Sequence, residues 1–222
     1  DIAELLEDKL VCSASEFIET ANTYDFSHEM LQDVPMVENR LEGYLFPDTY
    51  DFYKGEEIDS VVGKFLNNFG KRMEDLQSKI DASDLTLDQI VTMASIIQRE
   101  AANAQDMYDV SAVLHNRLDF GADYGIYRLE CDSTMYYPYK TAQEIPETGA
   151  LSYGAYNTYE VEGLPAGAIC NPGLDAIKAA LSPDTEGDAA NYLYFCHAAD
   201  GTAYSAPNAE DHEYNQPLAG LS

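Results

Sequence analysis

The sequence predicts an α+β protein, and three observations carry that prediction. Apolar residues recur at intervals of three and four through most of the first 120 positions, the spacing of helices that bury one face. Beyond residue 120 the texture changes to Gly, Pro, Tyr and short β-like runs such as TMYYPY (134–139) and NYLYF (191–195). Helices grouped early and short strands late are the pattern of an α+β chain. At 222 residues and 45% hydrophobic content, the chain can bury a core without disulfide or metal staples.

The elements follow in order. Residues 1–40 read as two short amphipathic helices, the first carrying Ile2, Leu5, Leu6 and Leu10. The second opens at Ser13 or Ser15 and carries Phe17, Ile18 and Ala21, with a polar segment over 22–33 after it. EGYLFPDTYDFY (42–53) is aromatic and β-prone on either side of Pro47. Residues 56–80 form a third helical stretch through Val61, Val62, Phe65, Leu66, Phe69, Met73 and Leu76. Thr86-Leu87-Asp88-Gln89 has the Thr-x-x-Gln form of a capping box, followed by apolar positions 87, 90, 94, 97 and 101. A further helix is expected over 107–118, and another over 172–181 with Pro172 at its start. No internal repeat or low-complexity linker interrupts the chain.

Charge excludes several partners. Twelve Lys and Arg stand against 40 Asp and Glu, a formal charge of −28, which argues against nucleic acid and anionic membrane surfaces. The longest near-continuous apolar stretch, 91–97, is far short of the roughly 20 residues of a membrane span. The chain opens at Asp1 already in a helical pattern, without a charged-then-apolar leader, and is expected to be an excised soluble region. Cys12, Cys131, Cys170 and Cys196 contain no C-x-x-C pair; free thiols are expected, with one bridge among the last three left open. His28, His115, His197 and His212 show no pair at metal-ligand spacing, so no metal or other cofactor is expected. There is no G-x-S-x-G elbow and no Gly-rich phosphate loop.

Glu100 is the candidate catalytic residue. It closes the row Met93–Ile96–Glu100 near the end of a mostly apolar helix, beside Ile97 and Ala101. A carboxyl pressed against apolar side chains loses hydration, which disfavours its charged form and suits a general acid. The bland alternative is a Glu at a helix rim that points to water. Around it in sequence, His115-Asn116-Arg117-Leu118 offers amide and guanidinium donors. Tyr156-Asn157-Thr158-Tyr159, Gly163-Leu164-Pro165-Ala166-Gly167 and Asn171-Pro172-Gly173 supply amides, hydroxyls and tyrosine rings, the groups that bind sugars, although each is also a turn signal.

Six segments in fixed order carry a resemblance: LEGYLFPDTY (41–50), ASIIQRE (94–100), VLHNRL (113–118), YNTY (156–159), GLPAGAICNPG (163–173) and YLYF (192–195). Together they resemble the endolytic murein transglycosylase family (YceG-like, also called MltG), from about residue 1 to 215. The resemblance implies a small LysM-like subdomain over 1–55, truncated at its N-terminus, and a mixed α/β catalytic domain over 56–222. It implies a single-pass anchor in the full-length protein, with this chain as the ectodomain on the extracytoplasmic face of the cell membrane. The implied substrate is the nascent peptidoglycan strand, cut between N-acetylmuramic acid and N-acetylglucosamine to leave 1,6-anhydro ends. The glutamate that ends A-S-I-x-x-x-E is Glu100 here. The motif segments point to Asn116, Arg117, Glu130, Asp132, Thr134, Tyr156, Asn157, Thr158, Leu164, Pro165 and Asn171 as substrate-binding residues. Synthases of the penicillin-binding class are the implied protein partners.

One segment departs from the pattern. Many members read Q-[ST]-D-P-T-V-x-Y where this chain has Glu130-Cys131-Asp132-Ser133-Thr134-Met135-Tyr136-Tyr137, so Glu replaces Gln and Ser replaces Pro. Glu130 thereby adds an acid near the expected cleft. A hydrolase would need a second carboxylate, roughly 5–5.5 Å away for retention or 6.5–9.5 Å for inversion. Asp132, Glu130, Glu42 and Asp48 are the candidates, so hydrolysis stays open at this point. So does a second class of function, a peptidoglycan-binding or scaffolding ectodomain without turnover.

Overall fold

Aromatic rings gathered on one helix organise the first of two units into which the chain divides, Asp1–Asp88 and Gln89–Ser222. The computed structural model describes residues 1–23, 31, 34, 39–146 and 154–221. Most of the polar segment expected over 22–33 therefore lies outside the described residues, as does His28. Helix α1 (Ile2–Asp8) buries Ala3 and Leu6, and α2 (Ala14–Thr23) buries Phe17 and Ala21. Leu5, Leu10 and Ile18, expected on the same buried stripes, are instead 57%, 62% and 51% exposed. So short a helix as α1 presents only a narrow row to its neighbour, and Leu10 lies past its end, at φ 61°.

Helix α3 (Ile58–Glu74) buries Val61, Val62, Phe65, Leu66, Phe69 and Met73 at the intervals read from the sequence. Phe65 meets Phe17, Tyr50 and Phe52 at ring-centroid distances of 6.1, 4.5 and 5.7 Å, and Phe69 meets Tyr44 at 5.1 Å. The β-prone segment 42–53 is not a strand. Its backbone turns at Gly43 (φ 95°) and has no partner strand among the described residues, so its rings bury against α3 instead. These rings tie α3 into the first compact unit, which runs to Asp88; the subdomain that the resemblance implies over 1–55 lies within it. The helical stretch expected over 56–80 is broken after Glu74, and α4 (Gln77–Ile80) is a separate turn. Asp48 accepts from Arg72 at 2.5 Å and Asn68 at 3.0 Å, and these donors hold its carboxyl down to about 2.

The second unit is built on α5 (Leu87–Glu100). Residues Ile90 to Ile97 are all buried, so this helix is covered on every side rather than along one stripe. Helix α6 (Asp106–Phe120) is the other long element, followed by the short α7 (Asp132–Tyr136) and by α8 (Leu174–Leu181). Ser111 and His115, one turn apart on α6, bond the carbonyls of Ala179 and Ala180 at 2.7 and 2.9 Å and so tie α6 to the last turn of α8. Strands β1 (Tyr194–His197) and β2 (Ala203–Ala206) pair antiparallel, Tyr194 opposite Ala206 and His197 opposite Ala203. With the helices, this two-stranded sheet makes the fold α+β, as expected.

One late expectation needs correction. TMYYPY does not extend as a strand: α7 runs to Tyr136, because the Thr134 hydroxyl donates to the Cys131 carbonyl at 2.7 Å and tightens the turn. Near the C-terminus, helix α9 (Ala209–Leu218) is capped by the Asn208 side chain accepting from the Asp211 N–H. Among the described residues no helix is long and apolar enough to cross a membrane.

Removing the ring at the centre of the first unit is expected to cost far more than trimming an exposed leucine. Phe69→Ala should lower stability by about 3–5 kcal/mol, and Leu5→Ala by less than about 0.5 kcal/mol, in urea unfolding curves of the two variants.

Candidate functional site

Glu100 lies one turn beyond Ile96 and Ile97, both 0% exposed, where α5 emerges from its cover. Its carboxyl is partly buried and is met by Ser133. The Ser133 backbone N–H donates to Oε1 at 3.0 Å, and the Ser133 hydroxyl donates to the same oxygen at 2.5 Å. Oε2 accepts no hydrogen bond among the described residues.

A threonine pair fixes the segment that carries Ser133. Thr134 and Thr158 are both 0% exposed, with their hydroxyls 2.8 Å apart. The Thr158 N–H donates to Thr134 Oγ1 at 3.1 Å, and the Cys131 N–H donates to Thr158 Oγ1 at 2.9 Å. The Glu130 N–H adds a bond to the Thr158 carbonyl at 3.1 Å, while Glu130 itself sits at φ 50°, a conformation that a non-glycine residue holds only when its surroundings impose it. Thr134 and Thr158 are thus brought together with Glu100 as the frame that presents Ser133.

Tyrosines line the neighbouring surface. Asp132 accepts from the Tyr159 hydroxyl at 2.7 Å. Burial first, and then that bond, push the Tyr159 phenol well above its ordinary range. Tyr136 is raised by burial and by the charges of Asp132 and Glu100 beside it. Tyr156 stacks on Tyr137 at 4.6 Å, and a Cβ at Gly167 would lie 3.3 Å from the Tyr156 hydroxyl, so glycine there lets the backbone approach the ring. Asn157 is buried, and its side-chain oxygen accepts from the Tyr159 N–H at 3.0 Å. The Gly/Pro-rich segment runs along α5. The Ile169 N–H donates to Ser95 Oγ and the Gly173 N–H to Gln98 Oε1, both at 3.0 Å, with Asn171 between these anchors. Leu164 is partly exposed and Pro165 buried.

The donors of α6 face inward. Asn116 is buried, and its amide donates to the carbonyls of Ala189 and Tyr192 at 3.0 and 2.9 Å. Arg117 donates to the Leu193 carbonyl at 2.6 Å and the Leu129 carbonyl at 2.7 Å, and lies 3.6 Å from the Glu130 carboxylate. These two side chains, which the motif segments point to as substrate-binding, donate to backbone that leads into β1 and into the Ser133 segment. Ser133, which meets Glu100, is not among the residues the motif segments point to; it stands where many members of the family the sequence resembles have Pro. All four cysteines are free thiols, Cys131 and Cys196 buried.

A further tie lies on the other side of Glu100. Asp106, 5% exposed, accepts from the Ala102 N–H and from His197 Nε2, each at 2.7 Å, and so joins the residues just past α5 to the end of β1. The bond to Asp106 raises the His197 pKa above 6.5, against the opposing effect of burial. A cavity of about 470 Å³ elsewhere in this unit is lined by Asp188, Tyr192, Asp211 and Tyr214 among others, and by none of the predicted site residues. Among the described residues no cluster of His, Cys, Asp and Glu could hold a metal ion.

The description of the YceG-like family matches residues 1–217. Endolytic murein transglycosylases of two Streptococcus pneumoniae strains, D39 and R6, are each 29% identical to this chain over 192 residues, covering 84% of this chain and 34% of the relative. The endolytic murein transglycosylase of Bacillus subtilis strain 168 is 26% identical over 223 residues, covering 95% of this chain and 59% of the relative. The chain thus spans about a third of the length of the streptococcal relatives. A crystal structure of a YceG-like protein from Listeria monocytogenes matches with a TM-score of 0.73 at 25% identity, over 96% of this chain and 70% of that one.

The His197–Asp106 pair makes stability depend on pH. A raised folded pKa means that protonation favours the fold, so the contribution is complete below about pH 6.5 and is lost as pH rises through the raised value. The thermal midpoint is expected to fall as pH is taken upward from 6.5. His197→Gln should start lower and remove that slope, as differential scanning calorimetry across the range will read.

Proposed function

Because the chain belongs to the YceG-like family, we propose that it is a lytic transglycosylase acting within nascent murein strands, with Glu100 as its single general acid and base. The observation that carries this reading is the setting of the Glu100 carboxyl, held at Oε1 by Ser133, with no partner for Oε2 among the described residues and Tyr136 nearby. The relatives' shared name, endolytic murein transglycosylase, supports the substrate class.

The chemistry needs one carboxyl in two protonation states. Protonated Glu100 donates to the glycosidic oxygen as the bond from C1 of N-acetylmuramic acid breaks, through an oxocarbenium-like state. The carboxylate then takes the proton of the C6 hydroxyl as O6 closes onto C1. Glu100 is protonated again at the end, the products are a free N-acetylglucosamine end and a 1,6-anhydro-muramic end, and no water is consumed. The other acids of this segment are already engaged, Asp132 by Tyr159 and Glu130 by Arg117, which favours a one-carboxyl route over hydrolysis. Tyr136, Tyr156 and Tyr159 offer ring faces and hydroxyls to the sugars. In this reading the protein works on the extracytoplasmic side of the cell membrane, where its substrate lies.

General acid–base catalysis contributes about 10²–10⁴ in rate. Glu100→Gln should therefore lose at least about a hundredfold of the rate of internal cuts in uncrosslinked glycan strands, with thermal stability unchanged. Asp132→Asn and Glu130→Gln should keep measurable turnover and the same anhydro products by mass spectrometry. Wild-type rates from Glu100→Gln would remove it from the chemistry, and strand binding without cleavage by the wild type would make the protein a binding module.

A further inference from the structure

We propose that Ser133 is the positioning residue of Glu100 and that it divides the labour of the carboxyl, leaving Oε2 as the oxygen that gives and takes back the proton. The proposal rests on the reading of Glu100 as the general acid.

A carboxylate oxygen that receives two donors is committed to accepting them. Oε1 receives both the backbone N–H and the hydroxyl of Ser133, at 3.0 and 2.5 Å. Two donors from one residue fix the carboxyl plane as well as the direction in which Oε2 faces. The proton of the acid form then sits on Oε2, which has no partner among the described residues. It leaves from Oε2 to the glycosidic oxygen as the C1–O bond breaks, and the C6 hydroxyl proton returns to Oε2 as the O6–C1 bond forms. The Ser133 hydroxyl keeps its own proton throughout and supports the charge that appears on Oε1 between the two steps.

Positioning requires that Ser133 itself cannot drift. The segment is bonded into the fold on both sides of it, Cys131 through its N–H to the Thr158 hydroxyl and Thr134 through its hydroxyl, which accepts from the Thr158 N–H. Arg117 holds the Leu129 carbonyl at the base of the segment. The two donors are separable by mutation, because Ser133→Ala deletes the hydroxyl and keeps the N–H.

The test compares Ser133→Ala, Ser133→Thr and Glu100→Gln in the intact protein, on uncrosslinked glycan strands. A hydrogen bond to a charged group is strong enough that Ser133→Ala should lower kcat by about ten- to a hundredfold. KM should stay within about twofold and the thermal midpoint unchanged, since the substrate and the core lose nothing. Ser133→Thr, which restores a hydroxyl, should recover most of kcat. A wild-type kcat for Ser133→Ala, with Glu100→Gln inactive, overturns the role of Ser133 alone. A loss that appears in KM, or that Ser133→Thr fails to recover in a folded protein, also overturns it. Wild-type activity in Glu100→Gln would instead overturn the reading beneath it.

Discussion

A carboxyl at the end of a helix that is covered on every side must find its partners in whatever chain is brought across that end. Helix α5 buries eight successive residues, and Glu100 is where it emerges. The chain that crosses there is the Ser133 segment, and its path depends on one buried contact, the pair of hydroxyls of Thr134 and Thr158. Each threonine bonds the other's surroundings as well. Neither can be apolar without leaving a buried N–H unpaired, since the Cys131 and Thr158 amides both donate to these hydroxyls. The position of the Ser133 segment against the Glu100 carboxyl is thus set two removes away, by the buried hydroxyls of Thr134 and Thr158.

Polar residues in this unit divide by what they bond. Ser111, His115, Asn116 and Arg117 all face backbone carbonyls, and together they join α6 to the end of α8, to the chain entering β1 and to the base of the Ser133 segment. Asp106 does the same between the residues after α5 and the end of β1. Among the described residues Oε2 of Glu100 accepts no hydrogen bond, and Tyr136 stands near it.

Much of this was legible in the sequence where one physical cause acts alone. The spacing of Val61, Phe65, Phe69 and Met73 gives α3, and the apolar run before Glu100 gives α5, because a 3.6-residue period has few competing explanations. The ring-rich segment 42–53 misleads because β-propensity measures the fit of side chains to a half-buried surface, and here a helix supplies that surface. Helix α9 is hidden by Pro217 and a nearly uniform polar face, although Asn208 followed by Glu210 and Asp211 is a start signal. At the site, the place of Glu100 at the end of a buried apolar row was legible. That Asn116 and Arg117 donate to the carbonyls of Ala189, Tyr192, Leu193 and Leu129 was not legible, since a sequence shows what a side chain can donate and not which carbonyl is nearby.

The most direct measurement of the one-carboxyl chemistry is digestion of uncrosslinked glycan strands in ¹⁸O-water, with the new muramic ends read by mass spectrometry. Ends that carry no ¹⁸O and have the mass of the 1,6-anhydro sugar are expected, because the attacking oxygen is the substrate's own C6 hydroxyl. One ¹⁸O at each new end would contradict this: water would then be the nucleophile, and Glu100 would share its work with a second carboxylate.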